Sequence, residues 1–356
     1  MGATTTFRGR GAADNPANRF EPLILERDPD LDPASEPAPA TRFYRDASCS
    51  LITYNDSPDI GYAASLNPYR GCEHGCIYCY ARPTHEYLGF SAGLDFETRI
   101  MVKTDAPELL RRELASRRWK PQALAMCGVT DCYQPVERRL ELTRRCLAVL
   151  AEFLNPVGVV TKNHLVTRDA DVLVELARHH AAAVTISLTT LDGNLATQLE
   201  PRTSQPTMRL DAVARLRAAG VPVGVLVAPV IPAINDHEIP AVLKAAAEAG
   251  SQFAGYTILR LPHGLKDLFA DWLARHFPDR REKVLGRIRE MRGGKLNDSS
   301  FGMRMSGEGI WAEQIAALFD TSRRKAGIAE GWPELSTMAF RPPASAGSPG
   351  QQEFKW

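Results

Sequence analysis

The alternation of short apolar runs with longer segments of helical period is the feature of this sequence that most limits its fold. The runs lie at Ala123–Cys127, Val157–Lys162, Ala183–Leu188, Val221–Ala228 and Gly255–Arg260. Most of their positions are apolar, as expected for strands of a parallel sheet that is covered on both faces. Strand–helix repeats of about thirty residues predict βα units, and therefore a doubly wound sheet or a barrel.

The predicted helices begin and end at residues that suit helix termini. Pro135 suits the first turn of one helix, and Asp169 gives another an acidic start that favours its dipole. Gly220 and Gly250 follow the ends of two more helices. The helices are predicted over residues 135–153, 169–180, 207–219 and 236–249.

Polar residues follow the apolar runs at their carboxyl ends. In a barrel of parallel strands, these ends form the rim where chemistry takes place. The pattern therefore predicts one shared site on this rim. The polar residues concerned are Thr130, Asp131, Lys162, Asn163, Ser187, Asn235, Asp236, Arg260 and His263.

The two ends of the chain differ in composition from its middle. Residues 1–40 are rich in Asp, Pro, Ala and Glu without an apolar period, which predicts a disordered N-terminal arm. Residues 338–356 contain a Pro-, Gly- and Ser-rich stretch and predict a disordered tail. One core domain with a C-terminal helical extension is predicted over residues 57–332, because no linker interrupts the pattern.

Charge and hydropathy limit the classes of function. Lys and Arg number 43 against 42 Asp and Glu, so the net charge of +1 gives no argument for binding nucleic acid or anionic membrane. No apolar run is long enough to span a bilayer, and the first residues lack the apolar core of a signal peptide. We therefore expect a cytoplasmic protein, in which the seven cysteines do not form a disulfide scaffold.

Three of the seven cysteines lie within eight residues, at Cys72, Cys76 and Cys79. Closely spaced thiolates select soft metals, either zinc or iron–sulfur. Structural zinc needs four ligands, and only His74, inside the tight loop, is near enough to serve as the fourth. Three cysteines on a four-iron cluster leave one iron open for a substrate or cofactor. A structural metal site remains the alternative.

The Cys-x3-Cys-x2-Cys spacing, with Tyr78 before the last cysteine, resembles the cluster motif of the radical S-adenosylmethionine (radical SAM) superfamily. Residues 71–82, 128–137 and 228–236 further resemble the spore photoproduct lyase-related branch, called DNA repair photolyase-like. The resemblance covers residues 65–260. It implies an α/β fold, a partial (β/α)6 TIM-like barrel of the radical SAM type.

This resemblance also implies the cofactors. Cys72, Cys76 and Cys79 would hold a [4Fe–4S] cluster, and its open iron would bind S-adenosylmethionine. Electron transfer would cleave the cofactor to a 5′-deoxyadenosyl radical, which would abstract a hydrogen atom from the substrate. An electron donor such as a flavodoxin or ferredoxin would be the partner.

Four residues on the rim match the positions from which the family binds S-adenosylmethionine. Thr130 would accept a hydrogen bond from the methionyl ammonium, and Lys162 would reach the methionyl carboxylate. Ser187 would bind the ribose or the methionyl end, and the backbone at Ala228 would cradle the adenine. The alternatives are a turn at Thr130, a surface lysine and a small polar residue at a strand end.

Three further residues are candidates for the radical chemistry itself. By resemblance to the lyase branch, Cys127 would donate a hydrogen atom, and Tyr78 and Tyr80 would relay one. A free cysteine also packs as a small apolar residue, and aromatic rings also shield a cluster.

The sequence leaves three hypotheses of function open. The first is a radical SAM enzyme that repairs or modifies nucleic acid. The second is radical modification of a protein or small molecule, which the near-zero net charge favours. The third is a metal-binding scaffold without catalysis. The basic segment over residues 279–295 is either a nucleic-acid contact or a solvated helix face.

Overall fold

Ten strands and eleven α-helices form the part of the chain that a computed structural model describes, namely residues 7–21, 38–126 and 128–342. The strands are β1 (Arg42–Arg45), β2 (Ile52–Tyr54), β3 (Ala64–Leu66), β4 (Tyr69–Arg70), β5 (Arg99–Val102), β6 (Leu124–Met126), β7 (Val157–Thr161), β8 (Ala182–Ser187), β9 (Val223–Val230) and β10 (Ala254–Ile258). The α-helices are α1 (Leu94–Thr98), α2 (Ala106–Leu114), α3 (Glu137–Leu140), α4 (Leu142–Phe153), α5 (Ala170–Ala177), α6 (Gly193–Leu199), α7 (Pro206–Ala218), α8 (Ile239–Glu248), α9 (Leu265–His276), α10 (Arg281–Glu290) and α11 (Gly309–Lys325).

The main sheet contains seven of the described strands, in the order β10-β9-β8-β7-β6-β3-β2. β3 and β6 to β10 pair in parallel, whereas β2 is antiparallel to β3 at one edge. Helices connect each strand from β6 to β9 with the next one. Six parallel strands with helical connections form a partial (β/α)6 TIM-like barrel, which confirms the predicted fold class.

A smaller sheet of β1, β5 and β4 lies beside the main one. β1 is parallel to β5, and β4 is antiparallel to it. Tyr69, Ile100 and Val102 of this sheet form a small apolar cluster with Val136. Because the segment Cys72–Cys79 begins two residues after β4, this sheet anchors its start.

The barrel core is built from the apolar runs. Every residue of β8 is buried, and Val184 and Ile186 belong to the main hydrophobic cluster. Leu147 and Leu150 of α4 are fully buried in the same cluster. Burial of each such side chain contributes about 1.5–3 kcal/mol, which explains why these runs form the central strands and their covering helices.

The helix predicted over residues 135–153 is two helices, α3 and α4. Glu141, between them, has a φ of 51°, in the left-handed region. Glu137 is buried, and its carboxylate accepts hydrogen bonds from the Thr143 backbone N–H at 3.1 Å and from Arg168 at 2.9 Å. The Glu137 side chain therefore binds the first turn of α4 and stabilises the interruption between the two helices. No glycine or proline at this point of the sequence indicates the interruption.

The N-terminal segment differs from the disordered arm predicted over residues 1–40. Within residues 7–21, Phe7 and Ala12 are buried. The backbone N–H groups of Gly11 and Ala12 donate to the Glu97 carboxylate at 3.1 and 2.9 Å. Backbone hydrogen bonds to Glu97, more than eighty residues away, need no apolar period in the segment, so the sequence pattern did not indicate this docking. Residues 1–6 and 22–37 of the predicted arm lie outside the described residues.

The C-terminal region adds α9, α10 and α11 after the last strand. The tail predicted over residues 338–356 begins with a docked stretch: Phe340 lies 6.2 Å from the ring of Phe153, and the Arg341 N–H donates to the Phe153 carbonyl. Residues 343–356 lie outside the described residues. No helix in the described ranges is both long and apolar enough to cross a bilayer.

Candidate active site

The segment Cys72–Cys79 forms a loop, here called the cysteine loop, between β4 and the 3-10 helix Arg82–Leu88. Cys72 and Cys76 are buried, Cys79 is partly buried, and all three are free thiols. Burial raises the pKa of each thiol, and the neighbouring Asp131 and the other two cysteines raise that of Cys72 further. The loop therefore carries three thiols in surroundings where their ionisation needs a cationic partner.

The donor set fits a multi-iron cluster better than a single metal ion. Among the described residues, no three His, Cys, Asp or Glu side chains are grouped closely enough to hold one ion. In a four-iron cluster each thiolate binds a different iron, so the sulfurs need not converge on one point. His74 is not free to be a fourth ligand, because its ring nitrogens lie 3.3 Å from Asp131 and 3.3 Å from the Asn163 amide.

A buried arginine holds the cysteine loop in shape. Arg82 donates to the carbonyls of Cys76 at 2.9 Å and Gly75 at 3.2 Å, and it pairs with Glu97 at 2.5 Å. Gly11 packs directly on the loop, since a Cβ there would lie 1.9 Å from the Gly75 carbonyl oxygen. The N-terminal segment and Arg82 therefore enclose one side of the loop.

The segment 128–137 holds the other side of the loop. The Gln134 side chain accepts from the Glu73 N–H at 2.9 Å and donates to the Gly71 carbonyl at 3.3 Å. Glu73 in turn accepts from the Val136 N–H at 2.7 Å and pairs with Arg202 at 3.0 Å. The resemblance of this segment to the family thus corresponds to contacts that support the cysteine loop.

Asp131 connects this segment to the end of β7. Its carboxylate accepts from the Thr161 hydroxyl and the Lys162 N–H, both at 2.8 Å, and lies 3.3 Å from His74. Burial opposes ionisation, but His74 and these hydrogen bonds outweigh it and lower the pKa of Asp131. Thr130, the adjacent residue, is buried and donates to the Tyr69 carbonyl at 3.2 Å.

Three of the four predicted cofactor-binding residues meet at the rim. The Lys162 ammonium lies 2.6 Å from the Ser187 hydroxyl and 3.3 Å from the Ala228 carbonyl. The Ser187 hydroxyl is 3.2 Å from the same carbonyl. These residues come from the ends of β7 and β8 and from within β9. Thr130 makes no hydrogen bond to any of the three within the described ranges.

Glu200 is a central charge of the site that the sequence did not reveal. It is fully buried, lies 3.6 Å from the Lys162 ammonium and accepts hydrogen bonds from Arg209 and Thr189. Burial opposes its ionisation, but Arg209 and Lys162 outweigh this and hold the pKa of Glu200 well below its usual range. Arg202, two residues further along the chain, binds Glu73 and not Glu200.

The two candidate tyrosines have different surroundings. Tyr78 is buried, donates its hydroxyl proton to Glu200, and has the Lys162 ammonium 5.6 Å from its ring centre. Tyr80 is 49% exposed and donates to the Gly128 carbonyl at 2.6 Å. Burial, followed by Glu200, raises the pKa of Tyr78. Cys127, the third candidate, lies outside the described residues.

A family model described as the radical SAM superfamily matches residues 66–246. This chain therefore belongs to the radical SAM superfamily and is an enzyme. Members of this superfamily use a [4Fe–4S] cluster and S-adenosylmethionine as cofactors. The predicted family, enzyme class and cofactors are confirmed at this level.

Uncharacterized proteins of a bacterium and an archaeon are similar to this chain. An uncharacterized protein of Mycobacterium tuberculosis is 37% identical over 231 residues, which are 64% of this chain and 66% of that protein. One of Methanocaldococcus jannaschii is 27% identical over 173 residues, 49% of this chain and 62% of that protein. The chain thus spans slightly less than two thirds of the length of these relatives.

Spore photoproduct lyase shares the fold. Its complex with dinucleoside spore photoproduct superposes with a TM-score of 0.58 and 15% identity, covering 81% of this chain and 80% of that one. A variant of the same lyase with bound S-adenosylmethionine and dinucleoside spore photoproduct gives a TM-score of 0.59 at 15% identity, covering 83% and 82%. At this identity the likeness is one of fold.

Proposed function

We propose that this enzyme holds its [4Fe–4S] cluster on Cys72, Cys76 and Cys79 and cleaves S-adenosylmethionine reductively. The observation that carries the proposal is that the three thiols of the cysteine loop, two buried and one partly buried, lie on one loop close enough to Lys162 for its charge to act on Cys76 and Cys79. When bound, the cluster and S-adenosylmethionine together supply an electron and a 5′-deoxyadenosyl radical for hydrogen abstraction. A flavodoxin or ferredoxin is the proposed source of the electron.

The rim residues bind and orient the cofactor. The Lys162 ammonium attracts the methionyl carboxylate, and Glu200 holds that ammonium in place from the buried side. Ser187 contributes a hydroxyl to the same end, and the backbone at Ala228 lines the adenine side. The Thr130 hydroxyl donates its proton to the Tyr69 carbonyl, so its oxygen lone pairs can accept a hydrogen bond from the methionyl ammonium.

The candidate hydrogen-transfer residues divide into two kinds. Tyr78 is a positioning residue, since its hydroxyl is bound to Glu200 on the buried side of Lys162. Tyr80 faces the mouth of the barrel and is the tyrosine of the two that can meet a substrate. Cys127 remains the predicted hydrogen donor, and it precedes Gly128, the residue whose carbonyl binds Tyr80.

Nucleic acid is the proposed substrate, for a repair or modification reaction. The support is the shared fold with spore photoproduct lyase, whose complex contains a dinucleoside photoproduct. Modification of a protein or small molecule is the second candidate, favoured by the net charge of +1. Binding to UV-irradiated and single-stranded DNA separates the two, because absence of binding at low salt would contradict the first.

The chemistry is tested by anaerobic reconstitution with iron and sulfide, followed by assay of 5′-deoxyadenosine with dithionite as reductant. We expect product from the wild type and from Cys49→Ala, which removes an exposed cysteine. Cys76→Ala should lose iron and give no product above the background without enzyme. A wild type that makes no 5′-deoxyadenosine, or a Cys76→Ala variant that makes as much, overturns the proposal.

A further inference from the structure

Three arginines are grouped around the segment 303–305, which is hydrogen-bonded to β10. Arg260 follows β10, so it lies at the same carboxyl-end rim as Lys162 and Ser187. Its guanidinium centre is 5.3 Å from the ring centre of Tyr80, the residue after the last cysteine of the loop. Arg292 and Arg304 are the other two members of the group, here called the arginine group.

Within the described residues, the hydrogen-bond partners of Arg260 are fewer than its five donors. One terminal nitrogen lies 3.6 Å from the Met305 sulfur, a weak acceptor. Its Nε atom is buried and has no hydrogen-bond partner within the described residues. A buried donor without a partner costs about 1–3 kcal/mol, so this guanidinium can take a further acceptor that the described residues do not supply.

The charges around Arg260 also favour binding of an anionic group there. Asp59 binds Arg304 at 2.5 Å, and Arg292 is buried on the carbonyls of Met303 and Leu259. Asp59 makes no hydrogen bond to Arg260 in the described ranges. Burial, and then the charge of Arg304, lowers the pKa of Arg260, while Asp59 and Tyr80 raise it only in part. The arginine group therefore has an excess of positive charge at the mouth of the barrel.

We infer that Arg260 binds a phosphate group of a nucleotide substrate beside Tyr80. The inference rests on the proposed function, because it names the substrate class of that site. A guanidinium offers paired donors that match phosphate oxygens. A half-exposed aromatic ring next to a cation is also the combination that binds single-stranded nucleic acid. A phosphate group of this kind occurs both in a free nucleotide and in a nucleic-acid strand.

The test titrates a fluorescent oligothymidylate into the reconstituted full chain at several salt concentrations. Arg260→Met should weaken binding by about tenfold or more, because a charge-assisted contact is lost. The slope of log affinity against log salt should also fall by about 0.7, the value for one phosphate contact on a single strand. Arg178→Met, which removes an exposed arginine at the end of α5 and outside the basic segment 279–295, should change neither quantity.

Competition separates the two sources of the phosphate. Displacement by thymidine monophosphate, but not by thymidine, supports a free nucleotide, whereas displacement only by unlabelled oligothymidylate supports a strand. Wild-type affinity and slope in Arg260→Met overturn the inference. Competition by a polyglutamate peptide that is as strong as competition by oligothymidylate also overturns it, because the site then binds carboxylates without preference for phosphate.

A second variant keeps the test decisive if Arg260→Met folds poorly. Arg260→Lys retains the charge but loses the paired donors, so it should keep the salt slope while binding more weakly. Unchanged affinity in Arg260→Lys contradicts the role of the guanidinium. The proposed function is tested separately by 5′-deoxyadenosine formation in the wild type without oligonucleotide, so the two failures remain distinguishable.

Discussion

Glu200 shows how a single residue organises the candidate active site. It bonds to Arg209 on one side, lies 3.6 Å from Lys162 on the other, and accepts a hydrogen bond from the Tyr78 hydroxyl. Removing one member of a buried ion pair leaves the other charge without compensation. The position of the Lys162 ammonium, and with it the proposed carboxylate contact, therefore depends on this carboxylate.

The expected result for Glu200→Gln is a loss of stability and of cofactor affinity together. The neutral amide leaves Arg209 buried with a weaker partner, which should cost about 3–5 kcal/mol in urea unfolding. Because Lys162 also loses its partner, the apparent KM for S-adenosylmethionine should rise, measured as 5′-deoxyadenosine formed. Glu175→Gln, on the exposed side of α5, is the matched control. Equal stability of Glu200→Gln and wild type would contradict this view of the site.

At the scale of elements, the cysteine loop is defined by segments that are remote in sequence. Arg82 and the N-terminal segment enclose it on one side, and Gln134 and Glu73 hold it on the other. Glu97 joins the first two, because it accepts the Gly11 N–H and pairs with Arg82. We therefore expect the docked N-terminal segment to stabilise the shape of the loop.

Substitution of one glycine tests this docking. In Gly11→Ala the new Cβ would lie 1.9 Å from the Gly75 carbonyl oxygen, which cannot move without distorting the cysteine loop. We expect a loss of about 1–3 kcal/mol, as for other overpacked sites, and faster removal of iron from the reconstituted enzyme by a chelator. Gly286→Ala is the control, because a Cβ there meets open space within α10 and should stabilise the helix. Iron loss from Gly11→Ala at the wild-type rate would argue against a role for the segment.

The elements with a clear period could be predicted from the sequence, whereas contacts across long separations could not. The apolar runs gave the strands β6 to β10, and the cysteine spacing identified the loop. The break at Glu141 depends on the buried Glu137, and the packing of Gly11 depends on Glu97, so neither leaves a local pattern. Glu200 was missed as a member of the site for the same reason, since Tyr78, which donates a hydrogen bond to it, lies 122 residues away.

At the scale of the whole molecule, the barrel is partial, and its open side is spanned by a C-terminal segment. The main sheet ends at β10 on one side and at β2 on the other. The Met305 carbonyl accepts from Ile258 of β10, and Arg304 and the Gly302 N–H bind Asp59, which precedes β3. The segment 302–305 thus connects the last strand with the region before the first parallel strand.

Asp59→Asn should release this connection without unfolding the barrel. The amide loses the ion pair with Arg304, so residues 302–305 should separate from the loop before β3 while the core clusters stay packed. Hydrogen exchange measured by mass spectrometry should then become faster at Ile258, whose N–H donates to Met305, and remain unchanged in β8. Asp56→Asn, at an exposed position of the same loop, should behave as the wild type.

Faster exchange in β8 as well would mean that the segment 302–305 stabilises the entire barrel. Unchanged exchange at Ile258 would mean that Asp59 does not hold this segment. Arg304 belongs to the arginine group, so its release from Asp59 also alters the charge beside Arg260. The connection across the open side of the barrel and the proposed phosphate contact therefore both depend on the Asp59 carboxylate.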